Sequence, residues 1–104
     1  MMTRREGAPQ WNVIVTGELQ GSTGALQLPD IPCGMVYLTA TPSNAGNVYI
    51  GGDSTVTVDN GTTDTTTGLL IAPGQTRVFF VDNLNRLYRI CNNAGDNLTY
   101  LVHR

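Results

Sequence analysis

The sequence predicts an all-β fold: a single antiparallel β-sandwich or barrel, jelly-roll-like, over residues 11–104, behind an extended N-terminal arm at residues 1–10. Three observations predict it. Short runs of Val, Ile, Leu, Tyr, Phe and Thr alternate with clusters of Gly, Pro, Asn and Asp. No window carries apolar residues at the i, i+3, i+4, i+7 positions of an amphipathic helix. And 104 residues are enough for one domain and too few for two ordinary ones.

The arm comes first. Met1 to Gln10 (MMTRREGAPQ) holds charges of both signs, Gly7 and Pro9, with only the two Met and Ala8 as apolar side chains. Such a segment has little to bury, so an extended, weakly anchored arm is expected. Trp11, the only Trp, marks where the arm docks. Strands are then expected at Asn12–Thr16, Ala25–Leu28, Met35–Thr41, Val48–Gly51, Thr55–Val58, Gly68–Ile71, Thr76–Val81, Leu87–Cys91 and Leu98–His103. Short strands about ten residues apart are the signature of a sandwich or barrel.

Alternation assigns the faces. Val36, Leu38 and Ala40 share one side of their strand, with Met35, Tyr37 and Thr39 opposite. The second side is amphipathic rather than charged, which suits a covered face. Val48 and Ile50 point one way and Tyr49 the other. The turn residues Thr41 to Gly46 (TPSNAG) predict that this strand and the one before it form an antiparallel hairpin. Leu98, Tyr100 and Val102 alternate with Thr99, Leu101 and His103, so both faces carry apolar groups, as in a central strand or one at a subunit contact.

The turns have mechanisms. Asp59-Asn60-Gly61 contains Asn-Gly, the strongest short-range hairpin signal. Ala72-Pro73-Gly74-Gln75 predicts a β-turn, with Pro73 presetting φ and Gly74 taking φ > 0. Asp82 to Arg86 (DNLNR) predicts one helical or 3₁₀ turn with an Asp or Asn cap. Thr62 to Thr67 (TTDTTT) fits either a loop or an edge strand.

Charge narrows the partners. Only 13% of residues are charged, against about 25% in ordinary soluble domains, while 40% are apolar. A surface of Thr, Asn, Gly and Gln suits an extracellular or virion setting, or one covered by neighbouring subunits. The net charge is −2, and all six basic residues are Arg, several near the chain ends. Nucleic-acid binders need a basic stripe to displace phosphate counterions, so no nucleic-acid partner is expected. No apolar run approaches the roughly 20 residues of a membrane span, and none forms the h-region of a secretory signal. A soluble chain that does not leave the cell by a secretory signal is therefore expected.

The residues of catalysis do not assemble into a motif. The sole His, His103, is penultimate in the chain, a poor place to hold a base rigidly. The eight acids, Glu6, Glu18, Asp30, Asp53, Asp59, Asp64, Asp82 and Asp96, all fall in expected arm, turn or loop positions. There they serve turn formation. Asp53, Asp59 and Asp64 fit no calcium-loop spacing, and the glycines make no phosphate-binding pattern. Cys33 and Cys91 have no CxxC or Cys/His spacing and read as buried thiols, although a single bridge is possible. The aromatics Trp11, Tyr37, Tyr49, Phe79, Phe80, Tyr88 and Tyr100 fall mostly within strand patterns, which favours core or interface packing over a sugar-stacking platform. No enzyme, no metal and no cofactor are expected.

One pattern is more specific. Asn47-Val48-Tyr49-Ile50-Gly51-Gly52 leads through a Thr-rich stretch to Thr67-Gly68-Leu69-Leu70 and Ala72-Pro73-Gly74-Gln75. Phe80-Val81-Asp82-Asn83-Leu84 and Leu87-Tyr88-Arg89-Ile90 follow. In this order, across about residues 34–102, they resemble small virion proteins of tailed bacteriophages: capsid decoration (cement) proteins or head-fibre β-domains. The chain departs from the fibre kind in lacking a long repeat or coiled coil. The resemblance implies a non-enzymatic structural protein on the capsid surface that binds the major capsid protein shell and stabilises it. It also implies a homo-oligomer, a trimer or dimer. Arg4, Arg5, Pro9 and Trp11 are the expected shell-gripping residues, and Tyr37, Tyr49 and Tyr100 the expected oligomer or shell contacts. The alternative is a receptor- or carbohydrate-binding tip of a head fibre or spike.

Overall fold

Alternating side chains and turn residues produce eight strands in the computed structural model, which describes residues 13–104. They are β1 (Ile14–Gln20), β2 (Leu26–Gln27), β3 (Met35–Ala40), β4 (Val48–Gly51), β5 (Leu69–Ile71), β6 (Thr76–Phe79), β7 (Tyr88–Cys91) and β8 (Asn97–His103). The predicted arm, with Arg4, Arg5, Pro9 and Trp11, lies outside the described residues.

Two four-stranded sheets form, ordered β1-β8-β3-β6 and β2-β7-β4-β5, and every ladder within them is antiparallel. The pairs β1–β8, β2–β7, β3–β6 and β4–β5 nest inside one another. The first four strands thus run as a ribbon against the last four, and the ribbon is rolled into two sheets. This is jelly-roll wiring, and the architecture is a sandwich.

The core lies between the sheets. Val36, Leu38 and Ala40 of β3, with Leu98 and Val102 of β8, meet Val48 and Ile50 of β4, Ile71 of β5 and Cys91 of β7. Leu28, Leu84 and Leu87 continue it. Each fully buried Leu or Ile contributes about 1.5–3 kcal/mol by leaving water.

The expected hairpin between Met35–Thr41 and Val48–Gly51 does not form, because β3 and β4 belong to different sheets. Their apolar faces point at each other across the core. The connector between them is held at the end of the sandwich by side chains of the β7–β8 turn. Asp96 is buried, and its carboxylate accepts from the backbone N–H groups of Ala45 (2.9 Å) and Gly46 (3.0 Å). Asn44 exchanges two 2.8 Å bonds with the backbone of Asn97. Asn92 accepts from the Asn47 N–H at 2.8 Å.

Other expectations are refined. The β-turn at Pro73-Gly74 is present, with Gly74 at φ 81° and the Gln75 N–H on the Ala72 carbonyl at 2.8 Å, and it passes the chain from one sheet to the other. The 3₁₀ turn spans Leu84–Arg86 and is capped by Asn83, whose side chain accepts from the Asn85 N–H. Thr55–Val58 is not a ladder strand; it keeps a single bridge, Thr57 to Thr67, and the Thr tract is otherwise loop. Gly61 takes φ 86° as Asn-Gly predicts, but inside that loop, where Asp59 accepts its N–H at 2.9 Å. Cys33 and Cys91 are both free thiols.

Candidate interaction face

The first sheet turns one side to the core and leaves the other open. Because partners across an antiparallel sheet point the same way, its registers define rows on the open side. Glu18, Thr99, Thr39 and Thr76 form one row across β1, β8, β3 and β6. Thr16, Leu101, Tyr37 and Val78 form the next. Ile14, His103 and Met35 form a third, with Phe80 just beyond β6.

The rows differ in chemistry. Toward the third row the face is apolar: Ile14 is 56% exposed, Val78 44% and Phe80 79%. Tyr37 and His103 lie side by side there, ring centres 6.3 Å apart. Toward the first row it carries hydroxyls and one carboxylate. Thr39 and Thr76 share a hydrogen bond of 2.7 Å, and Thr99 donates weakly to the Thr39 carbonyl at 3.4 Å. Between the first two rows runs a shallow groove of about 500 Å³, lined by both and bounded by Glu18 and Tyr37.

The three tyrosines named from the sequence part company here. Tyr37 stands on the open face. Tyr100 is on the inward side of β8, packed against the core and lying over Gly17, its cross-strand partner. Tyr49 is only 3% exposed, which corrects its expected role as a contact. Its side of β4 is shared with Ile90 and Leu70 in register, and the chain at Gly68 passes close by.

Glu18 is the residue that sequence reasoning misplaced. It was expected in a turn or loop, and it sits in the middle of β1, exposed on the open face. Gly17 hides the strand by breaking its alternation, yet the gap it leaves is filled by the Tyr100 ring. Phe80 and Val78 were legible as strand residues but not as exposed ones.

The rest of the surface offers less. The β4–β5 connector folds back so that Val56 packs on Gly51 and is buried. Its carboxylates are occupied locally: Asp53 accepts from the Thr55 backbone at 2.9 Å, and Asp64 accepts from Asn60 and Thr62. The Thr55 hydroxyl, then its backbone N–H, hold Asp53 below the usual carboxylate range. No group of three or more His, Cys, Asp or Glu stands close enough to hold a metal ion among the described residues. No helix among them is long and apolar enough to cross a membrane.

No family model, curated protein or solved structure matches this chain.

Proposed function

We propose that this chain is a non-enzymatic structural protein of a phage virion, a capsid decoration protein that binds the major capsid protein shell and stabilises it. The observation that carries this reading is the apolar end of the open sheet face, where Val78 and Phe80 are exposed at the β6 edge and Ile14 at the β1 edge, with Met35 and His103 between them. Several large apolar side chains left exposed on one sheet face favour a protein-binding surface over a solvated one. The phage-like pattern over residues 34–102 supplies the setting, and the sparse charge supports it. Neither nucleic acid nor membrane enters this reading. Symmetric copies, as a trimer or dimer, would multiply a small apolar contact into firm attachment. Residues 1–11, with Arg4, Arg5, Pro9 and Trp11, are proposed to add a second grip on the shell.

Cryo-electron microscopy of bare capsids mixed with the purified protein tests the reading. Density at regular icosahedral positions is expected. Phe80→Ser should weaken binding by about 2 kcal/mol, the scale of an interface anchor, while leaving the fold intact. Capsids that stay bare at saturating protein refute the decoration role.

A further inference from the structure

We propose that the groove on the open face of the first sheet is a binding site for a neutral oligosaccharide of at least two pyranose rings. The groove joins two kinds of surface that few ligands satisfy together. Tyr37 offers an exposed ring and Leu101 an apolar floor. Glu18, Thr99, Thr39 and Thr76 offer a carboxylate and three hydroxyls in one continuous row. A pyranose has the same division: C–H groups on its faces and hydroxyls around its rim.

Other ligand classes fit less well. A purely apolar ligand would strip water from the Thr row and give nothing back. An anion would meet Glu18, and no Arg lines the groove. A peptide strand pairs through main-chain groups and needs a sheet edge, whereas this groove lies across the sheet. Sugar hydroxyls, by contrast, both donate and accept. A carboxylate such as Glu18 can accept from two sugar hydroxyls at once. The Thr39–Thr76 pair, already bonded at 2.7 Å, still has a donor and acceptor capacity to spare.

Spacing sets the ligand's length. Glu18 and Tyr37 are two strands and one row apart, a separation of about 12 Å from standard sheet dimensions. That is too far for a single ring and suits two linked rings, one stacked on Tyr37 and the next beside Glu18 and Thr99. A volume of about 500 Å³ is within the ordinary range for small-ligand sites. All the side chains stand on strands, so binding orders little that is loose.

This inference does not rest on capsid decoration, and its test contains no shell. The full chain is applied to a printed array of neutral bacterial and plant oligosaccharides, and any ligand found is titrated by calorimetry. Binding to at least one neutral oligosaccharide is expected. Tyr37→Ala should weaken it about tenfold, the scale of a lost ring contact, and Glu18→Gln should also weaken it. Phe80→Ser, outside the groove, should leave it unchanged. Thermal melts confirm that each variant folds. An array on which wild type gives no signal above Tyr37→Ala overturns the proposal, as does binding that survives both groove substitutions.

Discussion

Gly17 and the two cysteines show how single residues set local behaviour. A side chain at Gly17 would collide with the Tyr100 ring, so the missing Cβ is what lets β1 lie flat against β8. The thiols are shaped by burial. Desolvation first, then the Asp82 carboxylate, push Cys33 above the usual thiol range, and its Sγ donates to the Val81 carbonyl at 3.3 Å. Cys91 is also raised, chiefly by burial. Both pKa values are higher folded than unfolded, so the stability they contribute is complete below the unfolded thiol pKa. It is lost as pH rises through the folded values. Urea midpoints should therefore fall as pH is raised above about 8.5, and less so in a Cys33→Ser, Cys91→Ala double variant. Iodoacetamide should label both thiols more slowly in the folded chain than in urea at the same pH. A midpoint flat across that window would contradict the assignment. Cys33 is only partly buried, but residue identity made Cys91 legible as a buried thiol. It did not make Glu18 legible as a groove residue, because Gly17 interrupts the pattern that would have extended the strand.

Among the elements, the connectors hold the architecture. Asp96 fastens the β3–β4 connector through two backbone N–H groups, and Asn44 ties the same connector to the start of β8. Asp96→Ala leaves both donors without a partner at the end of the sandwich and should cost about 2–4 kcal/mol in chemical denaturation. Asp96→Asn keeps one acceptor and should cost less. Equal losses in both would mean that the carboxylate's hydrogen bonds carry little. Arg89 plays a similar part at one edge of the second sheet. It is buried, and its guanidinium donates to the carbonyls of Gln20 (3.1 Å) and Gln27 (3.3 Å), which joins the end of β1 to β2. Strand positions and the Pro73-Gly74 turn were readable because period-two alternation and positive φ are local properties. The Thr41–Asn47 connector was not, because what holds it comes from residues some 50 positions away.

For the whole molecule, the jelly-roll-like sandwich was legible and the individual strand pairings were not. Hairpin reasoning assumes that neighbouring strands in sequence pair, and here only β4 and β5 do. The other ladders join strands distant in the chain, and their partners are selected by the core rather than by any turn. The amphipathic second face of β3, with Met35, Tyr37 and Thr39 upon it, was expected to be covered and lies instead on the open side of its sheet. Nested pairing also places the two ends of the described chain together. Ile14 lies opposite His103, and the Arg104 N–H donates to the Val13 carbonyl at 2.8 Å. A load pulling residues 13 and 104 apart therefore meets the β1–β8 ladder in a zipper orientation. It breaks one hydrogen bond at a time, where a shearing load would strain the whole row at once. Single-molecule stretching through these ends should give a low rupture force, and a high force would mean that the ladder is loaded in shear. On the decoration role proposed above, tension would be carried through the broad faces, because the ends peel.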